Sequence, residues 1–298
     1  MYNQDILSRK KIPLSIIIIT YNSDKFIRKN LLSIIDNSIH PKEIIIIDNN
    51  SLKPPIKLIK ELCLNKIIDI SYLENKKNLG FVKAVNQGIK IAKQEYVLLL
   101  NPDLFLKENA LLQIWKHLEK EKNIVGGKIA EIDGLCIKNT VTNLPSFLTL
   151  LIEFTSLRKV FDRVNICNLS NFWDNSANSL RIPSRVDSLS GCLMAIRKSD
   201  FIRIGEFDEQ FFLYLEDLDF FIRANCLGYS AIFIPKVLGE HFEGGSSSLL
   251  PYKINIQAWQ KSKRYFSKKH FGFLGKILNT MCDIDDKLIT IYKTMKHL

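Results

Sequence analysis

Residues 14–20 read Leu-Ser-Ile-Ile-Ile-Ile-Thr, a short β-branched run without polar alternation. A strand with one wet face would alternate, so this one is expected to be buried on both faces, as in parallel sheets covered by helices. The constraint repeats along the chain. Residues 43–47 have the same character and end at Asp48, a third run covers 67–73, and a fourth covers 96–100. Between the first two, Phe26, Ile27, Leu31, Ile34 and Ile35 recur at helical spacing behind a Ser23/Asp24 cap. Further helices are expected from Pro54-Pro55 and over 82–92. Strands alternating with helices in this way predict an α/β fold with a doubly wound, Rossmann-like, mostly parallel central sheet flanked by helices.

Ligands of such sheets bind beyond the carboxyl ends of the strands. Those ends carry Thr20-Tyr21-Asn22, Asp48-Asn49-Asn50-Ser51, Asn78-Leu79-Gly80-Phe81 and Asn101-Pro102-Asp103. Neither G-x-G-x-x-G nor the P-loop pattern is present, so a nucleotide would be held by other means. A helix over 109–120 and a strand over 125–132 follow. Residues 133–185 lose clear periodicity and hold one apolar patch, 147–154, beside Arg158 and Lys159. That patch reads either as a cover for the sheet or as a membrane-surface segment. Order resumes over 186–196, with a helix at 199–204, another ending near 227, a strand at 231–234 and two closing helical segments.

The run Phe211-Phe212-Leu213-Tyr214-Leu215-Glu216-Asp217-Leu218-Asp219-Phe220 sets three carboxylates among large apolar side chains. Carboxylates rarely go inside unless they are paired, bound to a cation or used in chemistry. A pocket that excludes water also raises a carboxylate pKa and makes it a proton acceptor near neutral pH. The plainer reading is a helix N-terminus whose first-turn acids face the dipole.

At 298 residues and 46% hydrophobic content the chain has a full core, which excludes disorder as its theme. Six cysteines without C-x-x-C spacing point to a reducing cytoplasm and to no structural zinc. Residues 1–11 are polar and the apolar stretch behind them is too short for a signal peptide or a span. The formal charge of +11 is concentrated late: from Pro251 onward ten Lys or Arg stand against three Asp. Such a tail reads as a contact for an anionic surface or as a solvated helix.

Together these segments resemble a family. Thr20-Tyr21-Asn22, Asp48-Asn49-Asn50-Ser51, Asn78-Leu79-Gly80-Phe81 with Asn86-Gln87-Gly88, Leu100-Asn101-Pro102-Asp103, Ser190-Gly191-Cys192, Gly205-Glu206-Phe207-Asp208-Glu209, Glu216-Asp217, and His241 with Gly244-Gly245-Ser246 follow the order and spacing of inverting family 2 glycosyltransferases. The likeness runs over about 13–247 and is greatest to the bacterial rhamnosyltransferase-like branch that builds cell-surface polysaccharides. It implies a GT-A fold over 1–250, with a nucleotide-binding half at about 13–132 and an acceptor and catalytic half at about 133–250. Residues 251–298 would form a basic helical extension.

The resemblance also implies roles. Asp217 would be the catalytic base with Glu216 orienting it, Gly191 and Cys192 would face the acceptor, and Asp219 would face the acceptor or the neighbouring helix end. Thr20, Tyr21, Asn22, Asp48, Asn50, Asn78, Gly80, Asn86 and Asn101 would hold the nucleotide sugar. Asp48 resembles the carboxylate that accepts from the pyrimidine N–H, with a helix cap as its alternative. Asp103 and His241 would hold a divalent cation, Mg2+ or Mn2+, although Asn101 stands where the motif's first acid would be; a plain buried histidine is the alternative for His241. The implied donor is dTDP-L-rhamnose, with a UDP-hexose or UDP-N-acetylhexosamine as the alternative, and the implied acceptor is a lipid-linked oligosaccharide. The protein is then expected to be cytoplasmic and peripheral on the inner membrane face, held by its basic C-terminus. A homo-oligomer stays open. Two rivals fit less: a sugar nucleotidyltransferase would carry glycines after the first strand, where Thr20-Tyr21-Asn22-Ser23-Asp24 has none, and a nucleic-acid-binding protein leaves the buried acids unexplained.

Overall fold

The structure, a computed structural model, describes residues 4–62, 67–132, 136–159, 172–242 and 250–296, with side chains of the last helix described as far as residue 287. A short helix α1 (Gln4–Leu7) precedes β1 (Lys11–Thr20), α2 (Asp24–Ile35), β2 (His40–Asp48), α3 (Ile56–Glu61), β3 (Asp69–Glu74), α4 (Phe81–Ile91) and β4 (Tyr96–Leu100). β1 runs parallel to β2 and β4, and β2 runs parallel to β3.

Successive side chains of these strands enter different cores. Ile17, Ile45, Ile47, Val97 and Leu99 meet Val82, Val85 and Ile89 of α4 on one face. Ile16, Ile18, Ile44, Ile46 and Leu98 meet Ile27, Leu31, Ile34 and Ile35 of α2 on the other. All are at most 2% exposed. Burial on both faces is why polar alternation is missing, and each such side chain contributes about 1.5–3 kcal/mol.

The second half comprises β5 (Leu104–Leu106), α5 (Ala110–Leu118), β6 (Asn123–Glu131), β7 (Ile137–Lys138), α6 (Phe147–Phe154), β8 (Ser184–Val186), β9 (Leu193–Arg197), α7 (Lys198–Ile204), α8 (Glu216–Cys226), β10 (Ser230–His241) and α9 (Tyr252–Lys296). All ten strands join one sheet in the order β3-β2-β1-β4-β9-β6-β10-β5, with β7 on β6 and β8 on β10. β9 is antiparallel to both β4 and β6, so the parallel arrangement belongs to the first four strands and the rest of the sheet is mixed.

The strand expected at 231–234 continues to His241. Pro235 reads as a strand end because it has no N–H to give a ladder, yet the ladder shifts register between Ile234 and Val237 and again between Val237 and Gly239, and then continues to His241. The continuation sets His241 opposite Leu104 of β5.

The apolar patch of α6 is a cover. Phe154 meets the Trp259 indole edge-on with centroids 5.7 Å apart, and Phe147 meets Phe271 at 6.3 Å. α9 joins two helices at Gly272, whose φ of 54° and ψ of −117° interrupt the helical path, and its Phe266 and Leu278 are fully buried in the same core as α8. The extension is thus part of the main core.

Candidate active site

A cavity of about 530 Å³ opens where the strand ends converge, with Tyr21, Asn101, Asp103, Gly191, Asp217 and His241 among its walls. The turn after β4 is fixed from beneath: the buried Asn30 amide donates to the carbonyls of Asn101 at 3.0 Å and Leu104 at 2.6 Å. Asn101 N–H donates to Cys192 O at 3.0 Å, tying this turn to β9. The turn carries Asp103, only 1% exposed, and His241 Nε2 lies 3.1 Å from Asp103 Oδ1.

Across the cavity, α8 opens on Glu216 and Asp217. Tyr214 and Leu215, which lead into it, hold φ of 73° and 67°, a left-handed path that costs non-glycine residues of order 1–3 kcal/mol each. That turn aims both acids inward. Asp217 Oδ2 accepts from Gly191 N–H at 3.0 Å and Oδ1 accepts from Leu218 N–H at 2.8 Å. Burial raises the Asp217 pKa, while these two amides pull it down. Glu216 is 6% exposed, and its Oε2 finds no hydrogen-bond partner among the described residues. Burial, and then the charge of Asp217, push its carboxyl up to about 8. Burial therefore favours a proton on Glu216, and the two amides favour the pair's negative charge on Asp217.

Of the expected nucleotide residues, Tyr21, Asn78, Gly80 and Asn101 line the cavity. Others stand behind it. Asp48 is fully buried and accepts from Thr20 Oγ1 at 2.9 Å, Ser51 Oγ at 2.5 Å and Ser51 N–H at 3.2 Å. These occupy three of about four acceptor positions of a carboxylate, so Asp48 and Thr20 organise the strand-end turns; Asp48 caps no helix, since α3 begins behind Pro55 without a side-chain cap. Asn22 Oδ1 accepts from Leu52 N–H at 2.7 Å, and Asn50 is exposed with φ of 70°. Asn86 clasps the backbone of Phe207, donating to its carbonyl at 2.9 Å and accepting from its N–H at 3.3 Å. Its amide is spent on packing α4 against the segment that follows α7.

On the acceptor side, Gly191 and Cys192 line the cavity, and burial pushes the Cys192 thiol up to about 11, so it stays neutral. Asp219 does not line it. Two residues beyond Asp217 is about 200° around the helix, and Asp219 faces α9, whose Lys269 and His270 reach it at 2.6 and 2.7 Å, while Arg223 of its own helix reaches it at 2.9 Å. Burial pushes its pKa up, but the His270 and Lys269 hydrogen bonds and the Arg223 charge outweigh this and hold the carboxyl low. The Gly244-Gly245-Ser246 motif lies outside the described residues.

Sequence reasoning missed four kinds of wall. Asn49, adjacent to Asp48, lines the cavity and donates to Asn78 Oδ1 and Gly80 O, both at 3.0 Å. Trp173 and Lys138 come from the aperiodic region, Phe212 and Tyr214 from the turn before α8, and Trp259 from α9. α9 also grips that turn: Ser262 Oγ donates to Leu213 O at 2.7 Å, and Tyr214 OH donates to Asn255 Oδ1 at 2.6 Å.

Asp103 and His241 fit a divalent cation in one specific way. Among the described residues no group of three or more His, Cys, Asp or Glu comes together to hold an ion. Two converging protein ligands on a cavity wall suit a hard cation that completes its shell with phosphate oxygens and water, and do not suit a closed protein cage.

The sequence model described as Glycosyl transferase family 2 matches residues 15–204, and one described as N-terminal domain of galactosyltransferase matches 173–243. Rhamnosyltransferase WbbL of Escherichia coli (strain K12) is 25% identical over 277 residues, covering 88% of this chain and 92% of its own. The N-acetylglucosaminyl-diphospho-decaprenol L-rhamnosyltransferase of Mycobacterium tuberculosis (strain CDC 1551 / Oshkosh) is 22% identical, covering 87% and 86%. Among solved structures, GalNAc-T7 with UDP, GalNAc and Mn2+ superposes with a TM-score of 0.58 at 15% identity, over 92% of this chain and 54% of that one, a likeness of fold. With the family matched over most of the chain and the GT-A fold matched beneath it, this protein belongs to glycosyl transferase family 2 and is a glycosyltransferase.

Proposed function

We propose that the protein transfers L-rhamnose from dTDP-L-rhamnose, with inversion, to a hydroxyl of a growing lipid-linked surface glycan. The observation that carries the chemistry is Asp217, a cavity-facing carboxylate held by two amides beside a neutral Glu216 and across from Asp103 and His241. The acceptor hydroxyl passes its proton to Asp217 as its oxygen attacks the anomeric carbon from the face opposite the diphosphate, whose bond to that carbon breaks. Glu216, kept protonated by its burial, adds no second charge beside the base. Asp103 and His241 would hold a divalent cation, which supplies neutralisation of the charge that builds on the leaving diphosphate.

The rhamnosyl reading rests on the two rhamnosyltransferase relatives. A UDP-sugar is the second reading, favoured by the fold likeness to an enzyme bound to UDP and GalNAc. For the acceptor, a lipid carrier agrees with the surface of α9. Leu274, Ile277, Met281 and Ile284 follow at helical spacing, are 48%, 39%, 38% and 54% exposed, and are joined by Phe273 at 75%. Lys268, Lys276 and Lys287 lie along the same helix. Among the described residues no helix is long and apolar enough to cross a membrane, and this stripe, on a segment whose basic residues outnumber its acids from residue 251 onward, suits a peripheral contact with anionic lipid at the cytoplasmic face.

The test of the base is Asp217→Asn. Asparagine keeps the size and can accept from Gly191 N–H, but cannot take the acceptor proton. Expected is a kcat loss of about 10²–10⁴-fold with donor affinity nearly unchanged. Transfer within about threefold of wild type, an effect below about 1 kcal/mol, rejects the assignment.

A further inference from the structure

The motif around Asp103 is one acid short, and the cavity contains a cation that nothing so far has used. Lys138 of β7 lines it, and among the described residues its ammonium makes no hydrogen bond or ion pair. Its placement follows from the sheet. Lys138 pairs with Ile129 of β6, Ile129 pairs with Gly239 of β10, and His241 lies two residues further along β10. Residues in register share a face and so do residues two apart, so Lys138 and His241 project from the same side. Two strand spacings separate their strands, about 10 Å, with Ile129 of β6 between them. A lysine stem spans much of that gap. Consistent with this, the buried Cys192 thiol feels the charges of Asp103, Asp217 and Lys138 together.

The charge balance says what belongs there. Asp103 and Asp217 bring two negative charges toward a dianionic diphosphate that gains more charge as it leaves. With Asn101 where the motif's first acid would be, a cation at Asp103 and His241 would be held by little protein charge and readily lost. We propose that Lys138 binds the donor diphosphate, sharing the neutralisation of the leaving group with the divalent cation and retaining part of the nucleotide affinity when that cation is absent. The inference rests on the reading of the cavity as a nucleotide-sugar site. A lysine acts here as a point charge, which suits phosphate oxygens without a fixed angular fork.

The experiment is calorimetric titration of wild type, Lys138→Met and Lys138→Arg with dTDP and with UDP, each in Mn2+ and in EDTA, with farnesyl diphosphate as a separate arm. Methionine keeps the stem, and the partly exposed site carries no core packing, so the fold is expected to be unchanged by circular dichroism. Expected is measurable wild-type binding in EDTA, lost on the order of tenfold or more in the Met variant, lost less in Mn2+, and largely kept in the Arg variant. Met-variant affinity within about twofold of wild type for both nucleotides in EDTA overturns the proposal. A loss confined to farnesyl diphosphate also overturns it and assigns Lys138 to an acceptor phosphate. Wild type that binds neither nucleotide even in Mn2+ overturns the underlying reading of the site.

Discussion

Glu216→Gln should make the protein less sensitive to alkali. In the unfolded chain this carboxyl releases its proton near 4.5, whereas in the folded protein burial and the Asp217 charge hold the proton until about 8. Between those values the folded state binds a proton that the unfolded state lacks, so stability falls as pH rises through that window and levels above it. At about 1.4 kcal/mol per pH unit the whole shift amounts to about 5 kcal/mol, and most of it lies between pH 5 and pH 8. Water entering the open cavity reduces this, so the figure is an upper bound. Glutamine has the same shape and no proton to lose, and it spares Asp217 a charged neighbour. Urea unfolding of both proteins at about pH 5 and about pH 8 measures the difference directly. Expected is a wild-type stability loss that exceeds the variant's by about 1–4 kcal/mol. Parallel losses, within about 0.5 kcal/mol, would mean that Glu216 is ionised in the folded protein and that the single-charge account of the acid pair is wrong.

Two further outcomes follow from the same geometry. Asp103→Ala should weaken Mn2+-dependent dTDP or UDP binding more than His241→Ala, because the carboxylate brings charge to the ion and the imidazole does not; equal affinities for both variants and wild type, read by calorimetry, would remove the cation from this wall. Replacing Phe273, Leu274 and Ile277 together by serine, all at least 39% exposed, should leave the melting temperature nearly unchanged and reduce sedimentation with anionic vesicles several-fold, and unchanged sedimentation would point to the lysines alone.

The parallel half of the sheet was readable because hydrophobic period decides it: the isoleucine runs of β1 and β2 have no polar face, and α2 and α4 keep theirs. The mixed half was not. β5, β7 and β8 span only two or three residues each, too few to show a period, and Pro235 masks the continuation of β10. In the site, Asp217, Asp103 and His241 each had a local signature, a carboxylate or histidine at an expected strand or helix end. Asp219 had the same signature and a different fate, since only the helical angle separates a residue that faces the cavity from one that faces α9. Lys138, Trp173 and Trp259 had none, because each reaches the cavity through tertiary packing across many residues of chain.

The hold that α9 keeps on the Leu213–Leu215 turn has a consequence for the order in which the molecule matures. Ser262 and Asn255 are synthesised about 40 to 50 residues after the turn they fasten, while the left-handed path at Tyr214 and Leu215 opposes itself in the meantime. During synthesis at about 5–20 residues per second, the parallel strands can pair long before these fasteners leave the ribosome. The nascent chain should therefore own a nearly complete parallel half of the sheet for several seconds before it owns a set Leu213–Leu215 turn. The geometry around Glu216 and Asp217 would then be set only once α9, which also bears the apolar stripe, has docked.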